Sequence, residues 1–278
     1  MRCNACGSFL PDGSSRCPYC GSAVAVTRPE PPKSSRESFY RDAVEEKDNA
    51  GADVFESCIN GVLEISCESN KFKNPNGELK CWGGSGFVIT ADGYAVTNAH
   101  VVADDDGAPL KTGKVNVRVC NQIVGAEVIA LADKKKGDGG GPDLAVIKLD
   151  KMPLRCSPLP IGDYSDVRNG EQIFVIGNSL GEGTCITGGI VSDKNREGTL
   201  MYDCATNPGN SGGPVINSDG KVIGVHFSGR IVTATGTGMN KNGDVSVSQV
   251  RVKAEGMNYA IPSNILLGFL KKTINFNI

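Results

Sequence analysis

From Gly84 onward the chain is a succession of short apolar stretches cut by glycine, proline, asparagine and aspartate. Lys114 to Cys120, Gln172 to Gly177, Thr184 to Val191, Leu200 to Cys204, Gly213 to Asn217 and Lys221 to His226 each have the length of a strand. The last two flank Ser218-Asp219-Gly220, a hairpin signal, and a second hairpin is predicted at Asp92-Gly93. Asp143 opens the largely apolar run Asp143-Leu144-Ala145-Val146-Ile147-Lys148-Leu149, another expected strand. Only Ser263 to Lys272 reads as a helix, with Ser263 or Asn264 as its cap. Gly229 to Glu255 is long and polar with few apolar anchors, and is expected to form a mobile hairpin or loop that shapes access to a neighbouring site.

Composition supports an all-β reading: 36 glycines and 14 prolines suit many tight turns. The roughly 220 residues after the first fifty suffice for one sizeable core. Before them the pattern changes. Residues 22 to about 36 are rich in proline and polar side chains, an extended spacer, and Glu37 to Asn49 is expected as a short polar helix. The predicted organisation is a module over 1–21, a linker over 22–52 and a main domain over 53–278.

The first module is defined by cysteines. Cys3-Asn4-Ala5-Cys6 and Cys17-Pro18-Tyr19-Cys20 are two Cys-x-x-Cys pairs, each followed by glycine. Four thiolates at this spacing can close around one tetrahedral Zn²⁺. Disulfides or redox pairs are the competing reading. A segment of ~20 residues has no core of its own and needs a metal or crosslinks, which favours a structural zinc ribbon. Its ligands do not encode whether it grips a protein partner.

Candidate chemistry centres on Asn207-Pro208-Gly209-Asn210-Ser211-Gly212-Gly213-Pro214. A serine among glycines and asparagines sits on a pre-shaped turn that can expose its hydroxyl and aim backbone N–H groups at one point, which acyl transfer requires. A plain surface turn has the same composition. Of the two histidines, His100 closes Val96-Thr97-Asn98-Ala99-His100 at a strand end. Asp143, at the head of its strand, is suited to orienting an imidazole, or equally to capping the strand. The order His100, Asp143, Ser211 is that of the chymotrypsin-like double barrel.

With these motifs, and with Gly84-Ser85-Gly86-Phe87-Val88-Ile89 and Met257-Asn258-Tyr259-Ala260-Ile261-Pro262, the chain resembles the trypsin-like serine proteases of the HtrA (Deg) group over about residues 53 to 272. The resemblance implies two six-stranded antiparallel barrels with a C-terminal helix, and a His100–Asp143–Ser211 triad between them. It implies an oxyanion hole from the N–H groups of Gly209 and Ser211, with Asn210 shaping the turn, and no cofactor for catalysis. It places the first specificity pocket at Ala205, Thr206, His226, Phe227 and Ser228. No acid sits among Cys204-Ala205-Thr206, so small or medium apolar side chains are expected there rather than lysine or arginine. His226 departs from the asparagine or serine usual in the family; a harmless strand-end residue is the favoured expectation, with a pocket wall or a second titrating group near the cleft as the other readings. No PDZ domain of the kind many of this group carry is expected after the C-terminal helix.

The expected substrate is a polypeptide, in cytoplasmic quality control or regulated proteolysis. The other class considered is a catalytically silent scaffold that binds a partner through the ribbon. A formal net charge of −2 gives no case for nucleic acid. The start Met1-Arg2-Cys3-Asn4 lacks the apolar core of a secretory signal, and no apolar run approaches a membrane span. Seven cysteines beyond the four candidate ligands are expected as reduced, buried thiols, although Cys67 with Cys81, or Cys185 with Cys204, could face each other across hairpins. The expected compartment is the cytoplasm. Asp104-Asp105-Asp106 and Lys134-Lys135-Lys136 read as solvated surface.

Overall fold

A computed structural model of the protein describes residues 2–3, 5–10, 15–23, 50–132, 141–239 and 245–276. The expected polar helix at 37–49, the linker residues 24–36 and the lysine run at 134–136 lie outside them. The contacts divide the chain into two units, 1–48 and 49–278.

In the second unit, β1 (Val62–Lys73), β2 (Leu79–Val88), β3 (Tyr94–Thr97), β4 (Val115–Val119), β5 (Gln122–Leu131) and β6 (Ala145–Leu149) close a barrel in the order β1-β2-β3-β6-β5-β4. A second barrel, in the order β10-β11-β12-β9-β8-β7, comprises β7 (Gln172–Asn178), β8 (Thr184–Arg196), β9 (Thr199–Tyr202), β10 (Pro214–Asn217), β11 (Val222–Met239) and β12 (Val245–Pro262). All ladders between these strands are antiparallel; Glu64 opposite Arg118 closes the first barrel and Val215 opposite Val175 the second. The expected double barrel is therefore present.

Two-residue periodicity fills these barrels. In β4, Val115, Val117 and Val119 point inward while Asn116 and Arg118 face out. Leu63, Ile65, Val88 and Ile147 fill the first core; Ile173, Val175, Leu200, Tyr202 and Ile223 fill the second. A third cluster joins Phe87, Val96 and Leu144 to Ile176 and Val225, and receives both helices, α1 (Ala50–Cys58) through Val54 and α2 (Ser263–Ile274) through Leu266 and Leu270. Helix α1 begins inside the segment expected as linker, because its two buried residues complete this core.

Several local expectations change. Ser263 does not cap α2: its hydroxyl donates to the Gly162 carbonyl at 2.9 Å, and Pro262 holds the cap position without a side-chain bond. Cys67 lies opposite Trp82 and Cys81 opposite Glu68, one buried and one exposed, so they do not face each other. Cys185 is exposed opposite Gly177, whereas Cys204 is buried in the second barrel. Asp104 is buried and accepts from Ser69 Oγ (2.7 Å) and the Asn70 N–H (2.8 Å), fixing the end of β1. The Gly229 to Glu255 stretch is mostly a regular hairpin, paired from Ile231–Lys253 to Met239–Val245, with Ile231, Val247 and Val250 exposed.

In the first unit, two knuckles repeat one geometry. The N–H of Gly7 bonds the Cys3 carbonyl and that of Gly21 the Cys17 carbonyl, at 2.8 and 2.9 Å. Both glycines have left-handed φ, +77° and +72°, which lets the chain turn back under the second cysteine of each pair.

Candidate active site

The turn carrying Ser211 is fastened to both barrels of its unit. Ser85, on β2, is the fastener: its N–H donates to the Ser211 carbonyl (2.8 Å) and its hydroxyl to the Gly209 carbonyl (2.7 Å). The same hydroxyl accepts the N–H of Asn178 at the end of β7 (2.8 Å), and Thr97 Oγ1 donates to the Ser85 carbonyl (2.7 Å). The glycines are required by close approach. A Cβ on Gly209 (φ +100°) would lie 2.1 Å from the Asn178 carbonyl oxygen; one on Gly212 (φ +86°) would meet the Ser85 oxygen at 2.2 Å.

His100 lies in a short 3-10 turn, Ala99–Val101, at the end of β3 and is exposed. Asp143 precedes β6 and reaches it twice. One carboxylate oxygen accepts the His100 backbone N–H at 2.9 Å, and the other is bonded to the ring Nδ1. Asn98 Nδ2 donates to the Asp143 carbonyl at 2.7 Å, tying the two segments together. The Ser211 turn packs on this segment: the missing Cβ of Gly212 would be 2.3 Å from Thr97 Oγ1 and 3.0 Å from the Asn98 nitrogen. No hydrogen bond joins the Ser211 hydroxyl to His100 among the described residues, and the N–H groups of Gly209 and Ser211 have no backbone partner among them. Such contacts are commonly loose without substrate and tighten in the complex. Asn210 is buried, with Oδ1 unpartnered.

Two clefts border these groups. One, of about 470 Å³, is lined by His100, Trp82, Lys80 and Asp105, and Trp82 Nε1 donates to the Val101 carbonyl at 2.8 Å. The other, of about 430 Å³, includes Ser211 with Asn207, Pro208, His226, Ser228, Arg251 and Lys253. Of the expected pocket residues, His226 and Ser228 line it. Ala205 and Phe227 do not: the Ala205 carbonyl accepts from Thr187, and Phe227 packs against the inter-barrel core. Thr206 is buried behind the cleft and touches it through Lys253. Arg251 and Lys253 were not legible as pocket residues, since only the pairing of β11 with β12 carries them there.

His226 is not a strand-end bystander. It is buried, with Nδ1 2.6 Å from the Tyr202 hydroxyl. Burial pushes the tyrosine pKa well above 10, so the phenol stays protonated and donates. Burial and then the nearby Lys253 charge lower the His226 pKa from 6.5 to about 3, opposed by the Tyr259 carbonyl and assisted weakly by His100. The unfolded chain binds this proton near pH 6.5 and the folded chain only near pH 3. Stability contributed by the neutral ring is therefore lost as pH falls through that window. His226→Gln is expected to flatten the acid limb by up to about 1.4 kcal/mol per pH unit between those values. Urea midpoints at pH 4 and 7 measure it; an unchanged difference between the two pH values would refute the assignment.

The four sulfurs of Cys3, Cys6, Cys17 and Cys20 lie within 4.8 Å of one another, with Cys3–Cys20 and Cys6–Cys17 both at 3.6 Å. Tetrahedral Zn–S bonds place sulfurs about 3.8 Å apart, so the cluster fits such an ion.

Comparison with known proteins agrees with this architecture. A family model described as the trypsin-like peptidase domain matches residues 84–225. The serine protease HTRA1B of Danio rerio is 31% identical over 84% of this chain and 43% of its own length. A probable periplasmic serine endoprotease, DegP-like, of Rickettsia conorii is 35% identical over 65% of this chain and 32% of its own. The chain thus spans less than half the length of these relatives. An HtrA-type protease solved with a tripeptide superposes with a TM-score of 0.59 at 24% identity, over 80% of this chain and 63% of that one. The chain belongs to the trypsin-like peptidase family, and its relatives there are proteases of the HtrA and DegP kind.

Proposed function

We propose that the protein is a serine endopeptidase in which Ser211 attacks the peptide carbonyl, His100 is the general base and Asp143 orients it. The observation that carries this reading is the two-point grip of Asp143 on His100, beside a serine turn held against both barrels. With Nδ1 engaged, the ring presents Nε2 to take the serine proton and return it to the leaving amine. The N–H groups of Gly209 and Ser211 stabilise the oxyanion, and water that His100 activates hydrolyses the acyl-enzyme. The substrate class is unfolded or regulated polypeptide. Incubation with a fluorophosphonate, with the adduct mapped by mass spectrometry, tests it. An adduct on Ser211 is expected; a folded protein that takes none would sink the reading.

The cysteine knuckles form a structural zinc ribbon in this proposal, and its exposed Phe9 and Tyr19 suit a protein partner. Purified protein should contain about one zinc per chain, and Cys3→Ser with Cys17→Ser should remove it while the barrels still unfold cooperatively. Metal retained by that variant would refute the ligand set. Eleven cysteines without a disulfide suit a reducing compartment, and the cytoplasm is proposed on that ground. No helix among the described residues is long and apolar enough to cross a membrane.

A further inference from the structure

The cleft beside Ser211 is lined by positive charge and by no carboxylate among the described residues. Lys253 and Arg251 both line it, two residues apart on β12 and so on one face of the strand. Neither makes an ion pair among the described residues.

The lysine is placed rather than loose. Its stem crosses Gly229, where a Cβ would come within 2.2 Å of the lysine Cε, so only glycine lets it lie against β11. Its ammonium donates to the Thr206 carbonyl oxygen and, at 2.7 Å, to Thr206 Oγ1. The Thr206 hydroxyl donates onward to Asn258 Oδ1 (2.6 Å), and Asn258 Nδ2 donates to the Cys204 carbonyl (2.7 Å). Thr206 and Asn258 are almost fully buried, so every donor in this chain points one way and the array is fixed. An ammonium has three donors. Two are used by Thr206, and the third has no acceptor among the described residues.

The side chain preceding the attacked carbonyl enters the cavity that borders the nucleophile. We infer that this cavity receives a carboxylate, so that the protein cleaves after glutamate or aspartate, with Lys253 as the principal counter-charge and Arg251 as the second. This rests on the endopeptidase reading and names its substrate class. It departs from the apolar preference expected from sequence, because the residues flanking Ser211 in the chain contain none of the charge that β12 delivers. Ser228 and His226 supply further polar wall, while Ile231 and Pro208 cover the carbon chain. Burial also lowers the Lys253 pKa, a cost that an incoming carboxylate relieves.

The test uses the full chain and peptides that differ only in the residue before the scissile bond: Glu, Gln, Val or Lys. Fluorophosphonate labelling of Ser211 is followed in parallel. Glu is expected to exceed its neutral isostere Gln by about 10²-fold in kcat/KM, since Gln leaves the lysine unpaired. Lys253→Met should shrink that ratio at least about tenfold. The wild-type ratio stands as a test even if the variant does not fold. Val or Lys cut as fast as Glu, with Ser211 labelled, overturns this inference and leaves the endopeptidase reading intact. Loss of both label and cleavage overturns the two together.

Discussion

Ser211→Ala is expected to lower kcat/KM on an unfolded protein substrate by about 10⁴-fold or more, and to abolish fluorophosphonate labelling. Little stability should change, within about 0.5 kcal/mol, because the Ser211 hydroxyl has no hydrogen bond among the described residues to lose and the turn is held through backbone carbonyls. Asp143→Asn should cost about as much activity through a different route. The amide cannot hold the imidazole in the tautomer that leaves Nε2 free to accept the serine proton. The grip of Oδ1 on the His100 N–H can survive that change, so the defect is electronic rather than positional. Combining either change with His100→Ala should add almost nothing, since the groups act as one unit. Activity that survives in Ser211→Ala, with label now on another residue, would show that the nucleophile had been misassigned.

What was readable in the chain follows from range. The barrels were legible because each strand signals itself locally, through alternation such as Val115, Val117 and Val119 and through turns such as Asp92-Gly93. The neighbourhood of Ser211 was legible for the same reason: its glycine turn is contiguous. Ser85 stands in the Gly84–Ile89 motif, but nothing local says that its hydroxyl would join β7 to the serine turn. Lys253 was missed altogether, and His226, although expected at the pocket, was expected there without its buried partner. A buried Tyr202 partner and a lysine folded over Gly229 both depend on long-range register, and the irregular pairing between Gly229–Asn258 and Ile231–Lys253 shifts that register beyond any count along the sequence. The capping role of Ser263 failed because a tertiary acceptor, the Gly162 carbonyl, competes successfully for its hydroxyl. Local rules of this kind yield wherever a buried partner comes from another element.

Gly212→Ala should be strongly damaging for a single added methyl group. The position has φ +86°, which an alanine adopts only at a cost of about 1 kcal/mol or more. The contacts are worse than the dihedral. The new Cβ would sit 2.2 Å from the Ser85 carbonyl oxygen and 2.3 Å from Thr97 Oγ1, and neither is the free end of a flexible side chain. Ser85 cannot retreat, because its N–H and hydroxyl hold the Ser211 and Gly209 carbonyls; Thr97 cannot rotate without releasing the Ser85 carbonyl. The turn must therefore leave its seat, breaking its bonds to the first barrel. A loss of about 3 kcal/mol or more is expected, and with it the alignment of Ser211 against the His100 segment. Thermal unfolding should show a large fall in Tm, and labelling of Ser211 should slow even at temperatures where the variant remains folded. Gly107→Ala is the matched control: it has φ +80° but nothing within 4 Å of the added carbon, so it carries the dihedral cost alone. Equal losses in the two variants would mean that backbone strain, not the seat between the barrels, governs this turn.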